Sequence, residues 1–383
     1  MKPLFLLLLA PVLVALSCEK TDDCKLNDPA PVQYWEQPLE SDLQQSVLTA
    51  FVYGADAFFA TGLNNTQLVR IRGNDGAVSY QNNWNGPEGV ERYVQEGPYL
   101  YWAIFGSFYR YHLEQKTKTP IGSVGSSAIY NEGWCMPFEG LLAGIFRESS
   151  MQDRDDVIAV FDMASQKQLF RYEIQDPQVA TYLGDPALGR TAAGDTVLAF
   201  VENTKDQLLI FNLSTNDTIA VNLPAAESYL HSTWNIHIRQ GRIFLGLRSA
   251  VFCIDASTGA VLWQRQEGDP GKICRVFFAG DQLLFHANTK TLYALDPATG
   301  AERWKNEEAG FSTADYAQKD DILYYTTWDL SDGNRRILIG IDVLTGCKKV
   351  QLDNLFSVYS GLAGITTDGY LILSNAQSFA GYK

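Results

Sequence analysis

Short apolar runs in this chain alternate with polar turns, and over residues 240–350 the alternation repeats itself. The clearest stretch is Thr291-Leu292-Tyr293-Ala294-Leu295-Asp296-Pro297-Ala298-Thr299-Gly300-Ala301-Glu302-Arg303-Trp304. Leu292 and Ala294 alternate with Tyr293 and Leu295, the two-residue period of a strand. In the segment from Asp296 to Gly300, the Asp side chain can accept a local backbone N–H, Pro fixes one φ angle, and Gly supplies the left-handed position that closes a tight turn. Ala301 to Lys305 then reads as the returning strand, with Trp304 as its apolar anchor. The same device stands 41 residues earlier, from Val251 through Asp255 and Gly259 to Trp263, and 46 residues later, from Leu338 through Asp342 to Gly346.

Aligned on the position before the turn, the chain gives eight units, marked by Ile71, Leu113, Phe161, Phe211, Ile254, Leu295, Ile341 and Tyr382. Their mean spacing of about 44 residues is that of a four-stranded propeller blade, too long for a leucine-rich repeat. No stretch carries the long amphipathic period of helical repeats. The eighth unit has three strands and lacks an outermost one. The start of the body, Val32-Gln33-Tyr34-Trp35-Glu36-Gln37, looks like Val261-Leu262-Trp263-Gln264-Arg265-Gln266, the outermost strand of unit five. Residues 32–37 are therefore expected to complete the blade formed by residues 361–383. The expected fold is all-β, an eight-bladed propeller of four-stranded antiparallel blades closed by an N-terminal strand, with seven blades as the alternative. Unit two is expected to turn through a Lys/Thr stretch ending at Pro120.

The repeat resembles that of the PQQ-like (pyrroloquinoline-quinone-like) β-propeller family, most strongly at Gly259/Trp263 and Gly300/Trp304. The resemblance implies a docking role for the outer-strand tryptophans Trp35, Trp263 and Trp304, each packing between neighbouring blades, with Phe170 and Tyr80 as substitutes elsewhere. The quinoprotein dehydrogenases of this family bind PQQ and calcium on the propeller axis, and the alcohol dehydrogenases among them carry an adjacent Cys-Cys pair. This chain has no adjacent cysteines and no recognisable carboxylate cluster, so PQQ is not expected and no cofactor is predicted. The other branch, the BamB-type lipoproteins that help assemble outer-membrane β-barrels, agrees in size, blade number and acidic character.

Residues 1–17 read as a signal peptide outside the fold: Lys2 is basic, and Leu4 to Leu16 is apolar but too short to span a bilayer. The segment ends in Ala15-Leu16-Ser17-Cys18, which resembles a bacterial lipobox and implies lipid attachment at Cys18. Glu19, Lys20, Asp22 and Asp23 follow, similar to the surface-export signals of Bacteroidetes lipoproteins. Residues 18–31 are read as the lipidated Cys and a tether containing Pro29 and Pro31, and residues 32–383 as the propeller. Membrane contact is expected only through the N-terminal lipid. The expected location is the outer membrane, at the cell surface or on its periplasmic face. An exported site permits disulfides. Five cysteines remain beyond Cys18, so at least one is unpaired. Cys253, within a strand pattern, is expected to be a small buried hydrophobe.

The formal charge of −14 repels polyanions, so nucleic acid is not an expected partner. Trp134 in Asn131–Cys135, and Trp328 with Asp329 and Asp332, are placed in inter-strand loops as candidate binding residues, able to stack on a sugar or anchor a protein. Asp329, Asp332 and Asn334 offer oxygens of the calcium-binding type but lack the EF-hand spacing, so a turn is the expectation and no metal is assigned. His231, Trp234 and His237 fall in an alternating stretch that reads as the innermost strand of blade five. No nucleophile, base and orienting acid form a set, so no catalytic residue is expected. The expectation is a non-catalytic envelope scaffold binding an envelope or outer-membrane protein. The alternatives are a surface glycan-binding component of a nutrient-uptake system, or a propeller enzyme.

Overall fold

The computed structural model describes residues 24, 26, 30–38, 47–61, 67–83, 93–104, 106–125, 130–148, 156–174, 183–202, 205–224, 236–247, 250–266, 275–287, 291–310, 316–328, 336–355, 361–374 and 378–383. The strands form eight four-stranded antiparallel sheets. Seven sheets are continuous meanders, within residues 47–83, 94–123, 130–174, 187–222, 236–266, 275–306 and 316–355. The eighth takes Gly361–Ile365, Leu371–Ser374 and Ser378–Tyr382 from the C-terminus and its outer strand, Gln33–Pro38, from the N-terminus. Trp35 stands opposite Gly381, and Val32 and Lys383 exchange both backbone hydrogen bonds at 3.0 Å. The propeller is eight-bladed and closed by its N-terminal strand.

Burial explains the sequence pattern. In blade five the second strand, Arg242–Gly246, and the third, Ala250–Asp255, are buried almost throughout. Ile243, Leu245, Phe252 and Ile254 pack toward blade four, while Phe244, Val251 and Cys253 pack toward blade six. A middle strand covered on both faces has no polar side to present, so it reads as a continuous apolar run. Outer strands alternate: Val261–Gln266 and Gln33–Pro38 share one exposure pattern, with the Trp third in each. Each of the eight seams holds its own buried cluster joining one blade to the next, including one between blades eight and one, so the core is a ring of eight cores.

Three seams share a further device. Trp35 Nε1 donates to the Gly73 carbonyl of blade one at 2.7 Å, Trp263 Nε1 to Pro297 of blade six at 3.1 Å, and Trp304 Nε1 to Val343 of blade seven at 2.7 Å. Each indole also lies against a turn glycine of that next blade: Gly76, Gly300 and Gly346, with φ of 72°, 72° and 75°. A side chain at these positions would be strained by the left-handed backbone and would strike the indole. Elsewhere the outer strand uses smaller or different groups. Phe170 of blade three packs on Phe211 of blade four with centroids 4.6 Å apart, and Ile219 and Val221 of blade four cover Gly259 of blade five. The Tyr80 side chain lies outside the described residues.

The hairpin turns are held by one recurrent bond set. Asp255, Asp296 and Asp342 each accept backbone N–H groups two and three residues ahead, at 2.9–3.0 Å, and Asn212 does the same at 2.9 and 3.1 Å. This is the Asx-turn expected of the sequence. Pro120 departs from expectation: it lies inside the outer strand Thr117–Ser123, beside a register shift at Phe108/Tyr109. A strand at the sheet edge tolerates a residue that cannot donate.

The seam between blades six and seven also buries His286, whose ring is 5.9 Å from Phe277 and 5.7 Å from Tyr325 by centroid. Burial, followed by the charge of Arg275, pushes its pKa down to about 3. An unfolded histidine takes a proton near pH 6.5. Between about pH 6.5 and 3 the unfolded chain therefore binds the extra proton, and stability falls as pH drops through that window.

Two outcomes follow for equilibrium urea denaturation. Trp304→Ala, which empties a nearly buried indole site, is expected to lose about 3–5 kcal/mol, whereas Trp304→Phe loses roughly 1–2 kcal/mol, mainly the bond to Val343. Equal losses for the two variants would deny the indole N–H any share in the seam. Separately, the wild-type midpoint is expected to fall from pH 7 to pH 4.5, and His286→Leu to flatten that slope; an unchanged slope would remove His286 as its source.

Candidate functional site

The expected binding residues do not come together among the described residues. Trp134 is a strand residue in the innermost strand of blade three, Tyr130–Phe138, where it pairs with Ile145. A register shift between Tyr130 and Glu132 absorbs the polar residues that suggested a loop. Trp328 ends the second strand of blade seven, Ile322–Trp328, opposite Arg336. The strand pairing simply runs one residue into the polar stretch. Asp329, Asp332 and Asn334, like His231, Trp234, Cys274 and the lipid-attachment candidate Cys18, lie outside the described residues. His237 sits in the innermost strand of blade five, Ile236–Arg239, with Nε2 2.8 Å from the Val276 carbonyl oxygen of blade six. A carbonyl only accepts, so Nε2 carries the proton and the ring ties two inner strands together.

Two of the remaining cysteines, Cys24 and Cys347, form a disulfide with Cα atoms 4.9 Å apart across a sequence separation of 323. It fastens the segment before the closing strand to the turn between the third and outer strands of blade seven. The free Cys135 and Cys253 are buried. Burial raises both thiols, Cys253 to about 11, which makes them inert packing groups.

Among the described residues a cleft of about 340 Å³ lies in the seam of blades five and six. It opens on the face that carries the first-to-second and third-to-outer turns. Its aromatic floor is Phe244 and Phe278, in edge contact with centroids 5.1 Å apart. Arg239 and Arg242 flank the Gln240-Gly241 turn and stand opposite each other in the ladder. Both residues of that turn have positive φ, 52° and 74°, the geometry of a tight two-residue hairpin. Both guanidiniums cross the seam: Arg239 Nη1 donates to Gly280 at 2.7 Å and lies 4.8 Å over the Phe278 ring, and Arg242 Nη1 donates to Pro297 at 3.1 Å.

The acids of the cleft are already engaged. Arg303 lies 2.9 Å from Asp296 and 3.5 Å from Asp281. The Arg303 bond, aided by Thr299 and the turn N–H groups, holds the Asp296 carboxyl at about 2, so Asp296 is ionised at any physiological pH. Arg239 and Arg242 contact peptide carbonyls but no carboxylate among the described residues. The chain is strongly acidic as a whole, yet this cleft is lined by three guanidiniums and two carboxylates. Of these residues only Asp296 stood out in the sequence, and as a turn residue. The signal was the like-charge pair facing itself across Gln240-Gly241.

Among curated proteins none matches the sequence. Solved structures match the fold. The computationally designed Ika8 protein is 11% identical with a TM-score of 0.64, covering 89% of this chain and 97% of its own. BamB from Moraxella catarrhalis is 12% identical with a TM-score of 0.56, covering 92% and 100%. The quinohemoprotein alcohol dehydrogenase ADHIIG from Pseudomonas putida HK5 is 10% identical with a TM-score of 0.55, covering 92% and 76%. At these identities the likeness is one of fold. The sequence profile described as outer membrane protein assembly factor BamB matches residues 154–353 of the 383, a span that contains the Asp-turns of blades five to seven, the outer-strand Trp of blades five and six, and the cleft between those two blades. With that profile spanning more than half of a ring of eight PQQ-like blades, the chain belongs to the family of the outer membrane protein assembly factor BamB.

Proposed function

We propose that this protein is a non-catalytic, lipid-anchored scaffold of the cell envelope that holds a protein partner at the outer membrane. The family match over residues 154–353 is the observation that carries this reading. A ring of eight cores supports it: such a body presents turns and strand edges in fixed positions, which suits a scaffold. The Cys24–Cys347 disulfide agrees with export, because such bonds persist in oxidising compartments. Activity of the quinoprotein kind forms no part of the proposal, since the sequence lacks the adjacent cysteines of the alcohol dehydrogenases.

The disulfide also bears on how the anchor would work. Cys18 stands six residues before Cys24. An extended chain of that length reaches roughly 20 Å. A lipid on Cys18 would therefore hold the Cys347 turn of blade seven within about that distance of the membrane. The ring face bearing that turn, which is also the face of the cleft, would lie toward the bilayer.

The test is gentle extraction of the full-length protein from its native membrane, with mass spectrometry of the N-terminus and of co-purifying proteins. The expected result is an acylated Cys18, an outer-membrane protein recovered in stoichiometric amount, and release of Cys18→Ala into the soluble fraction. A membrane-bound Cys18→Ala would overturn the lipid anchor, and absence of any stable partner would overturn the scaffold. Recovery of a transporter with glycan-binding lipoproteins would replace an assembly role by nutrient uptake.

A further inference from the structure

We propose that the cleft between blades five and six is a docking site for an acidic peptide segment of a protein partner, with Arg239 and Arg242 clamping one carboxylate and Phe278 receiving an adjacent apolar side chain. The inference rests on the scaffold reading and specifies the partner's chemistry.

The first argument is the pair itself. Residues directly opposite in an antiparallel hairpin share one face of the sheet, with Cβ atoms about 5 Å apart, and like charges so placed are destabilising. Arg239 and Arg242 are such a pair. Asp255 stands opposite Arg242 on the next strand, but neither arginine is within ion-pair distance of a carboxylate among the described residues; each is steered across the seam by one carbonyl, of Gly280 or Pro297. Each guanidinium has five N–H donors. One bond apiece leaves several for a ligand, and a single carboxylate bridging both would turn a repulsive pair into two charge-assisted contacts.

The second argument is selectivity within the cleft. Asp296 and Asp281 both lie against Arg303, and Asp296 is further occupied by the N–H groups of Ala298 and Thr299. The two guanidiniums without an ion pair among the described residues, Arg239 and Arg242, thus both lie on the side of blade five. Beside it the Phe278 ring is half-buried and already covered on one side by the Arg239 guanidinium. Cation and ring together fit a carboxylate next to an apolar side chain better than a free inorganic anion, which would use the guanidiniums and leave the ring bare. The volume of about 340 Å³ suits a few side chains.

The test uses purified full-length protein and fluorescence anisotropy with a short fluorescein-labelled peptide of alternating Glu and Phe. A second peptide has Gln in place of Glu, and inorganic phosphate serves as competitor. The expected result is saturable binding of the Glu peptide, weakened about tenfold or more in the Gln peptide and in the Arg239→Ala/Arg242→Ala double variant. Asp281→Asn removes an exposed negative charge from the lining of the cleft and is expected to tighten binding by about two- to fivefold, a gain that misfolding cannot mimic. Equal binding of the two peptides, undiminished binding in the double variant, or no gain in Asp281→Asn overturns the proposal. Phosphate that displaces the peptide without discrimination between Glu and Gln also overturns it, and assigns the cleft to a phosphate group. These outcomes leave the scaffold reading intact, because that reading stands on partner recovery from the membrane.

Discussion

An isolated four-stranded blade whose middle strands are apolar on both faces cannot be covered by itself. In blade five, Ile243 and Ile254 need blade four, and Phe244 and Cys253 need blade six. Every other blade meets the same requirement, and it is satisfied only when the last seam closes. The structure therefore depends on the interblade seam, and in particular on the outer-strand indole that bonds a carbonyl of the next blade while lying on its left-handed glycine. Trp35, Trp263 and Trp304 each make both contacts, joining local turn geometry to tertiary packing in one side chain.

Closure brings the two ends of the chain into one sheet. Gln33–Pro38 pairs with Ser378–Tyr382, and Trp35 then docks on blade one, so the N-terminal strand completes blade eight and the last seam at once. The Cys24–Cys347 disulfide adds a covalent link from the same N-terminal segment to blade seven. The entropy removed from the unfolded chain by a loop of that length is worth on the order of 6 kcal/mol in the chain-entropy account. Thus three neighbouring blades, seven, eight and one, are tied together by a segment of the chain that contributes little to the core.

Much of this was legible because the Asp-turn-Gly-Trp hairpin encodes its own geometry. Asp296 announces the turn, Gly300 its left-handed residue and Trp304 the seam, and the repeat distance supplies the blade. The missing outer strand of unit eight and its match at residues 32–37 gave the closure to within one residue of the observed Gln33–Pro38. Innermost strands were harder to see. Val94–Glu96 and Tyr316–Lys319 are short and half-exposed, so they lack the two-sided apolar run of the middle strands. Trp134 reads as a loop residue because polar neighbours mask an innermost strand, and Trp328 because it is the last residue of its strand and borders a polar stretch. The disulfide could not be read from spacing, since it joins residues made adjacent only by closure of the ring. The Arg239/Arg242 cleft was hidden for a similar reason: its walls come from two repeats, and no single repeat contains it.

The claim on which the account turns is that the N-terminal strand is an integral part of blade eight. Native-state hydrogen exchange of the full-length protein, read at the amides of residues 33–37 and 378–382, tests it most directly. The account predicts that both strands exchange through openings of similar free energy, within about 1 kcal/mol of each other. Rapid exchange of residues 33–37, with residues 378–382 still protected, would show a ring that stands without its N-terminal strand and would contradict the account.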